Sequence, residues 1–132
     1  MKAAGCALLA VSLAAFAGDA RAQTSCPEPQ KPMRDIELML GRPDASNARW
    51  RRFLAHEVTP RFPDGLTVYE TTGQWRDAQR RTIRRERSRV LRIIVASDEA
   101  VRQKVTAVAE AYKKQFRQTS VGIITRDVCA SF

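Results

Sequence analysis

Arginine dominates the chemistry this chain offers. Arg76, Arg80, Arg81, Arg84, Arg85, Arg87, Arg89 and Arg92 crowd into one short stretch. Guanidinium groups at that density bind phosphates, sulfates and carboxylates through charge and forked N–H donors. The plain alternative is a solvated basic hairpin with no dedicated partner. Trp75 stands beside the cluster and adds an aromatic face. Trp75, Arg80, Arg81 and Arg84 are therefore the candidate ligand-binding set.

Acid–base chemistry has three candidates. Histidine is the side-chain type suited to proton transfer near neutral pH, and His56 is the only one present. It falls off the apolar stripe of its segment, so interaction with a helix carboxyl end is the simpler reading. Glu57 borders that stripe, and Glu86 sits among arginines. Acids so placed serve either as catalytic groups or as members of structural ion pairs. Trp50, Tyr69, Trp75 and Tyr112 are aromatic candidates for a pocket wall between helices and sheet. Core packing accounts more simply for Trp50 and Tyr112. A single histidine supplies neither a Ser/His/Asp set with one to spare nor zinc-ligand spacing. No Gly-rich phosphate loop or heme-attachment motif occurs, so no cofactor or metal is expected.

The first 22 residues set the compartment. Lys2 gives a positive start, Ala7 to Ala17 form an apolar run, and Ala20-Arg21-Ala22 supplies a small-x-small cleavage site. This is the layout of a secretory signal peptide cut after Ala22, with a run too short for a permanent membrane anchor. The expected location is the periplasm or the exterior. The chain carries a formal net charge of +9, of which the leader holds only one net positive charge. Export turns the basic patch away from nucleic acid and towards anionic lipid headgroups, lipopolysaccharide or acidic glycans. Cys6 leaves with the leader. Cys26 and Cys129 then favour one disulfide in an oxidising compartment, over free thiols or pairing between chains.

The elements that must position these residues follow from periodicity. Residues 23–34, with Pro27, Pro29 and Pro32, read as an extended lead-in to one domain over 35–132. Ile36, Leu38 and Leu40 alternate as a strand does, until Gly41, Pro43 and Asp44 break it. Trp50, Phe53, Leu54 and Val58 recur at helical spacing, capped by Ser46 or Asn47 and stopped by Pro60. Leu66 to Glu70 alternates again and runs towards Trp75, with a break expected at Gly73. Arg76 to Arg85 lacks periodicity and reads as an exposed connection. Val90 to Val95 is a central strand. Val101, Val105, Val108, Tyr112 and Phe116 are the buried stripe of a helix capped by Ser97, and Val121 to Val128 is the last strand.

Strand, helix, strand, strand, helix, strand is the split βαβ order of a ferredoxin-like α+β fold. That layout sets the first and last strands side by side, which brings Cys26 towards Cys129. Both helices cover one face, yet Met39, Tyr69 and Ile124 put apolar groups on the other. Such a face predicts a homodimer packed sheet to sheet, the dimeric α+β barrel arrangement.

Trp50-Arg51-Arg52-Phe53, Thr59-Pro60-Arg61-Phe62-Pro63-Asp64-Gly65-Leu66-Thr67-Val68 and Gly73-Gln74-Trp75-Arg76 resemble the DUF3574 family. Arg85-Glu86-Arg87-Ser88, Tyr112-Lys113, Phe116 and Gln118-x-Ser120-Val121 extend the likeness over about Glu37 to Phe132. The resemblance implies a small exported bacterial protein of unknown function and brings no catalytic residue with it. Many relatives look like lipoproteins; here Cys26 follows Gln-Thr-Ser without the Leu expected upstream of a lipidated cysteine. The resulting expectation is an exported, dimeric binding module for a small or anionic ligand. The alternative is a cofactor-independent enzyme of the dimeric barrel type using Glu57, Glu86 or His56.

Overall fold

A computed structural model of the protein describes residues 25–41 and 46–132. The expected leader, and the break at Pro43 and Asp44, lie outside the described residues. Strands β1 (Lys31–Leu40), β2 (Thr67–Arg76), β3 (Ile83–Ala96) and β4 (Gly122–Ala130) alternate with helices α1 (Asn47–Phe53) and α2 (Glu99–Phe116) in the order βαββαβ. The strands form one sheet in the order β2-β3-β1-β4, with every neighbouring pair antiparallel. This is the ferredoxin-like arrangement.

The inner strand β1 is framed by β3 and β4, with Leu38 opposite Leu91 and Ile123. Pro32 lies opposite Cys129, and Cys26 is bonded to Cys129 with Cα atoms 5.5 Å apart. The bridge spans 103 residues of sequence. By loop-closure entropy, it constrains the unfolded chain by on the order of 4–5 kcal/mol. It also fastens the chain before β1 against β4. β1 accordingly begins at Lys31, inside the stretch expected as a lead-in.

α1 ends in a π-helical turn over Leu54–Val58, closed by the Thr59 N–H on the Leu54 carbonyl at 2.9 Å. The wider turn brings Val58 and then Phe62 into the core, both under 5 % exposed. In α2, Val101, Val105, Val108, Tyr112 and Phe116 are buried as one stripe. The N-cap is Asp98, not Ser97: its carboxylate accepts the Ala100 N–H at 3.0 Å. An acid there suits the helix dipole. Trp50, Phe53, Tyr112 and Phe116 form one aromatic cluster, with Tyr112 and Phe116 stacked at 4.5 Å. Trp50 and Tyr112 are core residues.

Two expectations about the β2–β3 region are corrected. β2 continues through Gly73 without a break, and β3 starts at Ile83, so the connection is only Asp77 to Thr82. Only Arg89–Ala96 of β3 pairs with β1; Ile83–Ser88 pairs with β2 alone. The result is a two-stranded ribbon standing beyond the helix-covered sheet. Water on both its faces erases the apolar alternation that marks a half-buried strand.

The Tyr112 hydroxyl donates to the Gly41 carbonyl at 2.8 Å, and burial pushes its pKa up to about 12. The folded state thus holds this proton more tightly than the unfolded chain. The stabilisation is complete below the ordinary value of 10.0 and is lost as pH rises towards 12. Tyr112→Phe is expected to cost about 1 kcal/mol at neutral pH by chemical denaturation. It should also flatten the decline in stability between pH 10 and 12.

Candidate functional site

The ribbon brings the sequence-predicted ligand-binding set together. Trp75 and Arg84 are directly cross-strand, so both side chains leave the same face. Arg80 and Arg81 lie in the connecting turn next to them. The Asp77 carboxylate accepts the N–H groups of Gln79 and Arg80, each at 3.0 Å, and the Asp77 N–H reaches the Thr82 carbonyl at 2.9 Å. Arg81 takes φ +56°, a left-handed conformation that closes the turn. Along the ribbon, Thr71 and Ser88 hydroxyls bond at 2.9 Å, and Arg85 Nε donates to Gln74 Oε1 at 2.7 Å.

Six arginines and two acids lie between Trp75 and Arg87. Among the described residues none of the six makes a salt bridge, so their charge is unspent. Trp75 is 48 % exposed and Ile83 55 % exposed, on opposite faces of the ribbon. The ribbon is both cationic and greasy. Arg89 and Arg92, counted with the same cluster from sequence, have other employment. Arg89 is buried, stacks on the Trp50 ring at 4.7 Å and pairs with Glu70 at 2.6 Å.

Among the described residues no hydrogen bond or ion pair joins the three acid–base candidates, although His56 and Glu57 are neighbours on one turn. His56 is exposed on the π-helical turn. Glu57 accepts from Arg61 Nη1 at 3.2 Å and from the Gln115 amide at 3.2 Å, which ties α1 to the following loop and to α2. Glu86 belongs to the ribbon opposite Gly73, with an oxygen 3.5 Å from where a Cβ on Gly41 would stand. No cluster of three potential metal ligands occurs among the described residues.

Sequence reasoning missed a charged network on the face that the helices leave open. Arg92 gives Nε and Nη2 to the two Asp35 oxygens at 2.8 and 2.9 Å. Arg126 lies 3.6 Å from Asp35 and 3.4 Å from Glu37. Asp35 is only 3 % exposed although its face carries no helix, because these side chains roof it. The Arg92 hydrogen bonds, with the charges of Arg92 and Arg126, outweigh burial and hold its pKa below the usual carboxylate value. Nothing in local periodicity signals this; it needs the register that puts Asp35 opposite Arg126 and diagonal to Arg92. Around the network, Met39 and Tyr69 are 46 % and 44 % exposed.

Sheet order, helix placement and open face define a small ferredoxin-like α+β domain. The chain belongs to the DUF3574 family, whose description is a protein of unknown function, matched over residues 36–132. None of the curated proteins matches it in sequence. Among solved structures, a phage SAM lyase in complex with S-methyl-5'-thioadenosine is similar with a TM-score of 0.58 and 14 % identity, over 76 % of this chain and 90 % of that one. The GlnK–ATP complex of Bacillus subtilis follows with 0.51 and 15 %, over 74 % and 82 %. CutA from Synechococcus elongatus has 0.51 and 9 %, over 76 % and 80 %. At these identities the likeness is one of fold.

Because the folded state holds Asp35 ionised, its contribution to stability is present above the ordinary value of 3.8 and is lost as pH falls through the lower folded one. Asp35→Asn leaves Arg92 without its carboxylate and should cost on the order of 2–4 kcal/mol at neutral pH. Denaturation titrated from pH 6 to pH 2 should show a smaller loss for the variant than for the wild type.

Proposed function

We propose that this protein is an exported binding domain, released by cleavage after Ala22, whose ribbon engages the anionic surface of the cell envelope. The observation that carries this reading is the ribbon's unpaired arginines, interleaved with exposed Trp75 and Ile83 beyond the covered sheet. Charge alone would suit any polyanion. Exposed tryptophan and isoleucine beside arginine suit a lipid interface, where the rings and aliphatic groups enter the headgroup zone and guanidinium groups meet phosphate. The Cys26–Cys129 bridge supports the extracytoplasmic placement. Among the described residues no helix is long and apolar enough to cross a membrane. The enzyme alternative gains nothing from the geometry, since among the described residues no hydrogen bond or ion pair links Glu57, Glu86 and His56.

The open sheet face supports the dimer as part of the same reading. Its central charges are matched within one chain, so a second sheet can cover them without stranding a lone ion. Met39 and Tyr69 supply the apolar contact. Sedimentation of the disulfide-bridged protein at about 10 μM is expected to give a dimer, with Met39→Lys shifting it to monomer; a wild-type monomer contradicts the arrangement.

Co-sedimentation with phosphatidylglycerol vesicles tests the ribbon. Binding is expected to blue-shift Trp75 emission and to fade as salt approaches about 0.5 M. Arg80→Glu/Arg81→Glu/Arg84→Glu should lower partitioning at least about tenfold with the melting temperature unchanged. Equal binding to neutral phosphatidylcholine vesicles, or binding only to a sulfated glycan, contradicts the lipid reading.

A further inference from the structure

A cleft of about 630 Å³ opens at the end of the sheet remote from the ribbon and is lined by none of the ribbon residues. Most of it is built by the loop after the π-helical turn, the start of β2, the end of β3 and the first turns of α2, with Met33 of β1 and Phe132 completing the lining. Phe62, Leu66, Ile94, Val95 and Val101 give it an apolar floor. Phe62 and Val101 also belong to the core, so this floor is anchored. The loop wall is held by its own chemistry. The Phe62 N–H bonds the Val58 carbonyl at 3.0 Å, and Gly65 takes φ +143°, a conformation that side chains strain.

The cationic lining residues come from three elements. Arg61 comes from the loop, Arg92 from β3 and Lys104 from α2. Both guanidinium groups are fixed before any ligand arrives. Arg61 Nη1 is held by the Glu57 carbonyl at 2.6 Å and its carboxylate at 3.2 Å, and Arg92 by Asp35, so of the three cations only Lys104 has no matching carboxylate. A guanidinium has five N–H groups, so these bonds orient each fork without exhausting it. Lys104 makes no ion pair among the described residues. Against the three cations stand Asp64 and Asp98, and the Asp98 carboxylate already caps α2. An apolar floor under this rim fits a small amphipathic molecule with a single anionic group. A polyanion would meet the two carboxylates. The volume lies within the usual range for small-molecule sites.

We infer that this cleft is a binding site for a small amphipathic monoanion, separate from the ribbon and independent of its partner. The loop forming one wall is Arg61-Phe62-Pro63-Asp64-Gly65-Leu66, inside the run through which the sequence resembles its family. The cleft explains why that loop needs a fixed shape as well as a turn.

The test is a titration of the disulfide-bridged, nitrogen-15-labelled protein with 1-naphthalenesulfonate, followed by amide chemical shifts. Expected are saturable shifts confined to residues 62–67, 94–98 and 101–104, with an affinity between about 10 μM and 1 mM. Lys104→Glu, at an exposed position, should weaken binding at least about tenfold. Thr67→Trp, which fills the cleft from its exposed rim, should weaken it similarly. Arg80→Glu/Arg81→Glu/Arg84→Glu should leave it unchanged, which separates this site from the ribbon. Shifts centred on residues 75–87, no saturable shifts up to about 1 mM, or full binding by both Lys104→Glu and Thr67→Trp would overturn the inference.

Discussion

β1 reaches only as far as Arg89 of β3, and this mismatch in strand length governs the rest of the molecule. Where β1 runs alongside, β3 is an inner strand with helices over one face, and Leu91 and Ile93 have no exposure at all. Past Arg89, β3 pairs with one strand only, and of Ile83–Ser88 only Glu86 and Ser88 are half-buried. A lone two-stranded ribbon with apolar faces would aggregate, so its residues must be soluble ones. Arginine and threonine satisfy that need, and the same choice leaves a cationic arm.

The border between the two halves is marked by a buried cation. Arg89 lies on the helix-covered face, where an unpaired guanidinium would be costly, and three features accommodate it. Glu70 takes its charge, the Trp50 face takes its plane, and the aromatic cluster of Phe53, Tyr112 and Phe116 closes around Trp50. On the opposite face Asp35 plays the mirrored part, a buried anion matched by Arg92 and Arg126. Burial of each ion is tolerated because its partner is supplied by a neighbouring strand in fixed register. These two pairs make the register specific, since a one-residue slip would send Asp35 and Arg89 each to the wrong face.

What could be read from sequence divides along the same physical line. The α2 stripe and the Ile36, Leu38, Leu40 alternation were legible because each element has one wet face and one dry face. The side-by-side placement of the first and last strands followed from counting such elements, and the Cys26–Cys129 pairing from the two cysteines that remain after the expected leader is cut. The ribbon was misread as a connection over Arg76–Arg85 because both its faces are wet, so period two carries no apolar signal. Asp35 with Arg92 and Arg126, and Arg89 with Glu70, were invisible because the partners are distant in sequence and meet only through register. Glu57 showed its position beside the helix stripe but not its partners Arg61 and Gln115, which come from the following loop and from α2. The cleft was hidden for the same reason: its walls come from several separated segments, each unremarkable alone.

On the proposed reading, a compact core carries an arm that only a surface steadies. Residue-resolved amide hydrogen exchange measures that directly. In the free protein, amides across Thr72–Arg87 should exchange at least about a hundredfold faster than those of Leu38, Leu91 and Ile93, and anionic vesicles should slow the ribbon selectively. Ribbon amides as protected as Leu91 in the free protein, or unmoved by vesicles, would contradict it.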